Sequence, residues 1–90
     1  MGVQYVVKTP KSLGKTIRNM PDNAVKALRL LIDDIKESGP IQSGYPNYSK
    51  LGKVTYHCHL AYSWVACWRC EKGEYIVEVE YVGSREKAPY

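Results

Sequence analysis

Thr55-Tyr56-His57-Cys58-His59-Leu60, Trp64-Val65-Ala66-Cys67-Trp68-Arg69-Cys70 and Tyr75-Ile76-Val77-Glu78-Val79-Glu80-Tyr81-Val82 are the stretches whose reading decides the fold. Each alternates with the period of two that places successive side chains on opposite faces of a strand. The spacing predicts strands over about 54–60, 64–70 and 75–82, joined by Ala61-Tyr62-Ser63 and by a tight turn at Lys72-Gly73. Tyr56, Cys58 and Leu60 then share one face with Trp64, Ala66 and Trp68, and with Tyr75, Val77, Val79 and Tyr81. The opposite face carries two expected cross-strand rows, His57–Cys67–Glu78 and His59–Val65–Glu80, together with Arg69.

Upstream, Val3, Tyr5 and Val7 alternate as a first strand that runs to Lys8. Thr9 and Pro10 are suited to a helix start, and Leu13, Ile17 and Met20 recur at helical spacing. Gly14 weakens that helix by roughly 1 kcal/mol relative to alanine. Pro21-Asp22 opens a stronger helix, in which Val25, Leu28, Ile32 and Ile35 form an apolar stripe widened by Ala24 and Leu31. Gly39-Pro40 ends it, because glycine permits a left-handed turn and proline cannot continue the helix. Residues 40–53 have no period and carry Tyr45, Tyr48, Lys50 and Lys53 in a long loop. The expected class is α+β in the order β-α-α-β-β-β, an antiparallel sheet with a helical hairpin packed on one face. Residues 1–90 read as a single domain.

The chain is 44% hydrophobic and carries a net charge of +4 with a pI near 9.0. A basic balance suits a polyanionic partner, and it equally suits an ordinary solvated surface. No apolar run has the length of a membrane span, and the N-terminus lacks a basic region with an apolar signal core. The three cysteines cannot all pair within one chain, which fits a reducing, cytoplasmic setting.

Helices on one face leave the other to collect His57, His59, Glu78, Glu80 and Arg69. Exposed strand faces are commonly polar, so the acids and Arg69 can simply solubilise the sheet. The histidines carry more information, being the only two in the chain, adjacent on one face and titrating near neutrality. The last strand leads into Gly83-Ser84-Arg85-Glu86-Lys87-Ala88-Pro89-Tyr90, which brings a guanidinium and a phenol towards them. Imidazole, guanidinium and phenol are the groups that move protons and offset charge at a phosphodiester. A zinc site of His57, His59 and Cys67 is the competing reading, and it lacks an apparent fourth ligand. Cys67 and Cys70, three apart in a strand, point to opposite faces and cannot share one ion or form an easy disulfide. Cys58 and Cys70 read as small core residues, as do Trp64, Trp68 and the strand tyrosines. Tyr45, Tyr48 and Tyr90 lie outside the regular strands, where they are available to stack on bases.

The order of elements, the Tyr56-His57-Cys58-His59-Leu60 strand, the Trp64-to-Trp68 strand and the ending Tyr81-Val82-Gly83-Ser84-Arg85-Glu86-Lys87-Ala88-Pro89-Tyr90 together resemble the RelE/ParE superfamily of toxin–antitoxin toxins. The likeness covers nearly the whole chain and is most specific in the Val82-Gly83-Ser84-Arg85 step and the terminal tyrosine. It implies a small basic endoribonuclease that cuts mRNA, usually on the ribosome, and that a cognate antitoxin protein neutralises. It also implies that His57 and His59 stand where such toxins carry active-site lysines or histidines, with Arg85 and Tyr90 as the tail residues of the site. Two departures are visible: Val65 stands where RelE-type members often place an arginine, and histidines replace the strand lysines. The ParE branch, whose members act on DNA gyrase without nuclease activity, is the alternative, as is a degenerate member that only binds its antitoxin.

On that resemblance the expected reaction is a transesterification with no metal and no cofactor. His59, supported by Glu80, takes the proton of a ribose 2′-hydroxyl, and His57 protonates the departing 5′-oxygen. Arg85 offsets the charge on the phosphorus, Tyr90 stacks on a base or orients the phosphate, and Lys50, Lys53 and Lys87 hold the RNA backbone.

Overall fold

The computed structural model describes residues 4–89. Val3 and Tyr90 lie outside the described residues. The chain runs β1 (Val6–Lys8), α1 (Gly14–Arg18), α2 (Asp22–Ser38), β2 (Ser49–Lys50), β3 (Thr55–Ala61), β4 (Trp64–Arg69) and β5 (Ile76–Ser84). Single 3-10 turns precede α1 at Lys11–Leu13 and follow β5 at Arg85–Lys87. The sheet order is β1-β5-β4-β3-β2. Neighbours from β5 to β2 are antiparallel, and β1 joins the outer edge of β5 in parallel. The helices form the connection between β1 and the antiparallel strands, and they cover one face.

α2 follows from its sequence. Ala24, Leu28, Leu31 and Ile35 repeat at i, i+4, i+7 and i+11 and are buried against the sheet. Gly39 ends the helix with φ 94°, and its N–H still donates to Ile35 O at 2.8 Å. A side chain at Gly39 would also strike the Tyr5 ring, whose Cζ lies 2.8 Å from the position a Cβ would take. The first helix is shorter than its apolar spacing suggests. Pro10, with extended φ and ψ, precedes the 3-10 turn, and the α-helical part begins only at Gly14.

Tyr56, Cys58, Leu60, Ala66, Trp68, Cys70, Val77, Val79 and Val82 pack with α2 in one core. Trp68 is its largest buried side chain, and the indole N–H donates to Pro40 O at 2.9 Å, which settles the polar end of the ring. Tyr45 and Tyr48 belong to this side as well, contrary to the expectation that they are available to bases. The Tyr45 hydroxyl donates to Asp34 Oδ2 at 2.5 Å, and Tyr48 stacks on Tyr56 with ring centroids 6.4 Å apart.

The second hairpin departs from its expected register. Residues 70–75 form a longer connection than the two-residue turn read from Lys72-Gly73, although Gly73 does take a positive φ of 83°. Arg69, not Cys67, therefore opposes Glu78, and the ladder shifts between Cys67 and Trp68 so that Cys67 opposes Tyr81 and Val65 opposes Gly83. Glu80 occupies the resulting bulge. The observed rows are His57–Cys67–Tyr81 and His59–Val65–Gly83. Tyr81, expected on the helix side, lies instead on the uncovered face. Tyr75, also assigned to the core, is half exposed at 50%.

Candidate functional site

β3 places the two imidazoles side by side on the uncovered face, with ring centroids 6.1 Å apart at an angle of 61°. Alternation puts them there, since Tyr56, Cys58 and Leu60 take the helix side. The face is not uniformly wet. Val65 and Cys67 beneath the rings are buried, and His57 itself is only 8% exposed, whereas His59 is half-buried. Each ring is held by the segment that runs along the outer edge of β3. His57 Nδ1 meets Ser49 Oγ at 3.0 Å, and His59 Nδ1 meets Asn47 Nδ2 at 3.1 Å. The backbone of that segment is fastened to β3, because His59 N–H donates to Pro46 O at 2.8 Å.

The tail reaches the same place. Arg85 N–H donates to Ser63 O at 2.8 Å, which ties the end of β5 to the β3–β4 turn. Arg85 and His59 then line one open cleft of ≈ 370 Å³, together with Asn47 and Tyr62. Tyr62, at the tip of the turn, is 88% exposed. The charge coupling agrees with this geometry. Partial burial, the His57 ring and the Arg85 guanidinium together lower the His59 pKa from its ordinary 6.5, which favours the neutral ring. Tyr81 and Gly83 support the tail from below: the phenol lies across the glycine, and its hydroxyl donates to Ser84 O at 2.7 Å.

The structure thus brings together His57, His59 and Arg85, with Lys87 exposed in the same short turn as Arg85. It separates the others. Glu80, expected beside His59, sits in the bulge, and its charge acts on Cys67 and Arg69. Glu78 stands between Lys8 and Arg69 in the ladder, a charge-alternating row away from the imidazoles. Lys50 pairs with Tyr56, whose side chain points to the helix side, and its Nζ lies 5.5 Å from the Tyr56 ring centroid. With Lys53 and Lys72 it borders a different cleft of ≈ 430 Å³ floored by Val54, Tyr56 and Cys70. Lys50 and Lys53, read as holding the RNA backbone, thus border a cleft other than the one that His59 and Arg85 line. Tyr90 lies outside the described residues.

Asn47, Ser49 and Tyr62 escaped the sequence reading. Asn47 has a positive φ of 52°, and asparagine is among the few residues that accept this conformation. Among the described residues no group of three or more His, Cys, Asp or Glu could hold a metal ion, so His57, His59 and Cys67 do not make the zinc set considered above. Among the same residues no helix is long and apolar enough to cross a membrane.

By sequence, no protein-family model and no curated protein matches the chain. By structure, the likenesses are extensive. A mixed sheet of five strands, closed on one face by a helical hairpin and ending in a basic turn, defines the class of small α+β domains to which they point. The chain has the fold of RelE. The archaeal RelE of a RelE–RelB complex from Pyrococcus horikoshii OT3 superposes with a TM-score of 0.73 at 12% identity, covering 94% of this chain and 99% of that one. A mutant of the E. coli toxin RelE in the free state gives 0.68 at 18%, covering 92% and 85%. The toxin–antitoxin complex RelBE2 from Mycobacterium tuberculosis gives 0.62 at 14%, covering 92% and 100%.

Proposed function

We propose that this chain is the toxin component of a toxin–antitoxin pair and acts as a metal-independent endoribonuclease on mRNA, in association with the ribosome. The observation that carries the reading is the single cleft shared by His59 and Arg85 on the uncovered face, with His57 beside it. The two imidazole centroids are 6.1 Å apart, a spacing within the span of one phosphodiester. His59, which lines the cleft, accepts the 2′-hydroxyl proton as that oxygen attacks phosphorus. His57 supplies a proton to the 5′-oxygen as its bond to phosphorus breaks, leaving a 2′,3′-cyclic phosphate and a free 5′-hydroxyl. Arg85 offsets the extra negative charge that develops between those steps. Lys87 and Tyr90 contribute RNA contacts from the tail, and Tyr62 offers an exposed ring for a base. The relatives in complex with RelB and the RelBE2 pair support a cognate antitoxin as the protein partner.

Inducible expression followed by primer extension on a reporter transcript tests the proposal. Wild type is expected to arrest growth and generate new 5′ ends, and Arg85→Ala to lose both. Growth arrest by wild type without new 5′ ends would refute the nuclease reading and favour inhibition of a protein target.

A further inference from the structure

An amide nitrogen can only donate, so the 3.1 Å contact between Asn47 Nδ2 and His59 Nδ1 has one polarity: the ring nitrogen accepts. A neutral imidazole has a single N–H, which this contact assigns to Nε2. The nitrogen left for the cleft then carries a hydrogen and has no lone pair to take a proton. Turning the Asn47 amide over would bring Oδ1 to the ring, move the hydrogen to Nδ1 and bare Nε2. At His57 the Ser49 hydroxyl at 3.0 Å can donate or accept by rotating its O–H, so that contact alone selects neither tautomer.

We propose that Asn47 is a positioning residue that selects the tautomer of His59, and with it whether the cleft meets a hydrogen-bond donor or a base. The functional half of this inference rests on the nuclease reading of the same cleft. Asn47 is held for the task. Its backbone is in the left-handed region at φ 52°, Tyr48 N–H donates to Tyr45 O at 3.2 Å, and His59 N–H donates to Pro46 O at 2.8 Å. Among the described residues, the charged and titratable groups that bear on His59 are His57 from its own strand and Arg85 from the C-terminal turn. Both disfavour the imidazolium and so favour the neutral ring, whose tautomer the Asn47 contact then selects. A resting N–H at Nε2 suits binding of a phosphate oxygen, and amide reversal on substrate binding converts the ring to the base that the reaction needs.

Long-range ¹H–¹⁵N correlation NMR on the full chain tests this, using wild type, Asn47→Asp and Asn47→Gly. Wild type should show the Nε2–H tautomer. Asn47→Asp offers only acceptors, so it should move the hydrogen to Nδ1 and raise the His59 pKa by about one unit. Asn47→Gly keeps the left-handed backbone and removes the contact, so a mixture of tautomers is expected. The same tautomer in all three proteins, or Nδ1–H in wild type, overturns the proposal. Cleavage separates the two readings. If wild type cleaves RNA, the acid limb of the Asn47→Asp pH–rate profile should rise by the shift seen in NMR, and an unmoved limb overturns the catalytic role. If wild type does not cleave while the NMR pattern holds, the nuclease reading falls and the selection of the tautomer stands.

Discussion

Replacing Gly83 with alanine would test how the end of β5 is aimed at the histidines. A Cβ at position 83 would lie 2.8 Å from Tyr81 Oη and 3.0 Å from its Cζ. Comfortable contacts between non-bonded carbons begin at about 3.5 Å, so the phenol must retreat by roughly half an ångström or more. That motion strains or breaks the 2.7 Å bond from the Tyr81 hydroxyl to Ser84 O. A net hydrogen bond is worth about 1 kcal/mol, and forced overpacking costs about 1–3 kcal/mol. A loss of about 2 kcal/mol is therefore expected, equivalent to a fall in Tm on the order of 10 °C for a domain of this size. Urea and thermal unfolding followed by circular dichroism would measure it. The decisive comparison is a double-mutant cycle with Tyr81→Ala: once the ring is gone, Gly83→Ala should change stability by less than about 0.5 kcal/mol. An undiminished cost in the Tyr81→Ala background would refute the contact as the cause.

Burial raises the Cys58 thiol to about 12 and the Cys67 thiol to about 11, and Cys70 is shifted in the same direction by its burial. None of these three free cysteines should react with a disulfide reagent at pH 8 in the native state, and all should react after denaturation. Stability should also depend on His59. Its folded pKa lies below the unfolded value, so the unfolded chain binds the proton more readily. The contribution of the neutral ring is complete above the unfolded imidazole pKa and is lost as pH falls through it towards the folded one. Tm measured from pH 8 down to pH 5.5 should therefore decline, and the decline should be smaller in His59→Gln. Tyr45→Phe removes the bond to Asp34 and should cost about 1 kcal/mol, with faster amide exchange at Tyr48, whose N–H is tied to Tyr45 O.

The elements that could be read from the sequence are those whose signal is local. The α2 stripe and its Gly39 stop concern neighbours within one helical turn, and both are present, with the buried line running through Ala24 and Leu31 and leaving Val25 and Ile32 half-buried. The first β-hairpin is nearly as direct, although Ala61, read as part of its turn, pairs with Trp64 across a register shift between His59 and Ala61. His57 opposes Cys67 and His59 opposes Val65, as the spacing implies. The second hairpin hides its register for a physical reason. Sliding β5 by two residues leaves every side chain on the same face, so alternation cannot distinguish Glu78 opposite Cys67 from Glu78 opposite Arg69. Only the length of the connection decides, and the loop over 70–75 is longer than Lys72-Gly73 suggests. The parallel edge pairing of β1 is likewise a tertiary outcome, with no mark in the strand's own residues. The lysines illustrate the same limit. Lys50 is adjacent to Ser49 in sequence, yet Ser49 meets His57 while Lys50 lies over Tyr56 on the far face.

The bulge at Glu80 reconciles two sequence expectations that are otherwise incompatible. If β5 alternated without interruption, Val77, Val79 and Tyr81 would face the helices, and so would Gly83 and Arg85. Arg85 could not then reach the imidazoles on the other side. The observed burial instead runs Val77, Val79 and then Val82, a step of three that reverses the parity of everything beyond it. Tyr81 and Gly83 pass to the histidine face, and Arg85 follows them into the cleft that His59 lines. The sequence itself offers an unbroken apolar alternation through Tyr81, so the change of side shows only in the burial of Val82 in place of Tyr81. A single inserted residue thus accounts for Tyr81 leaving the core, for Glu80 leaving the histidine row, and for the guanidinium arriving there.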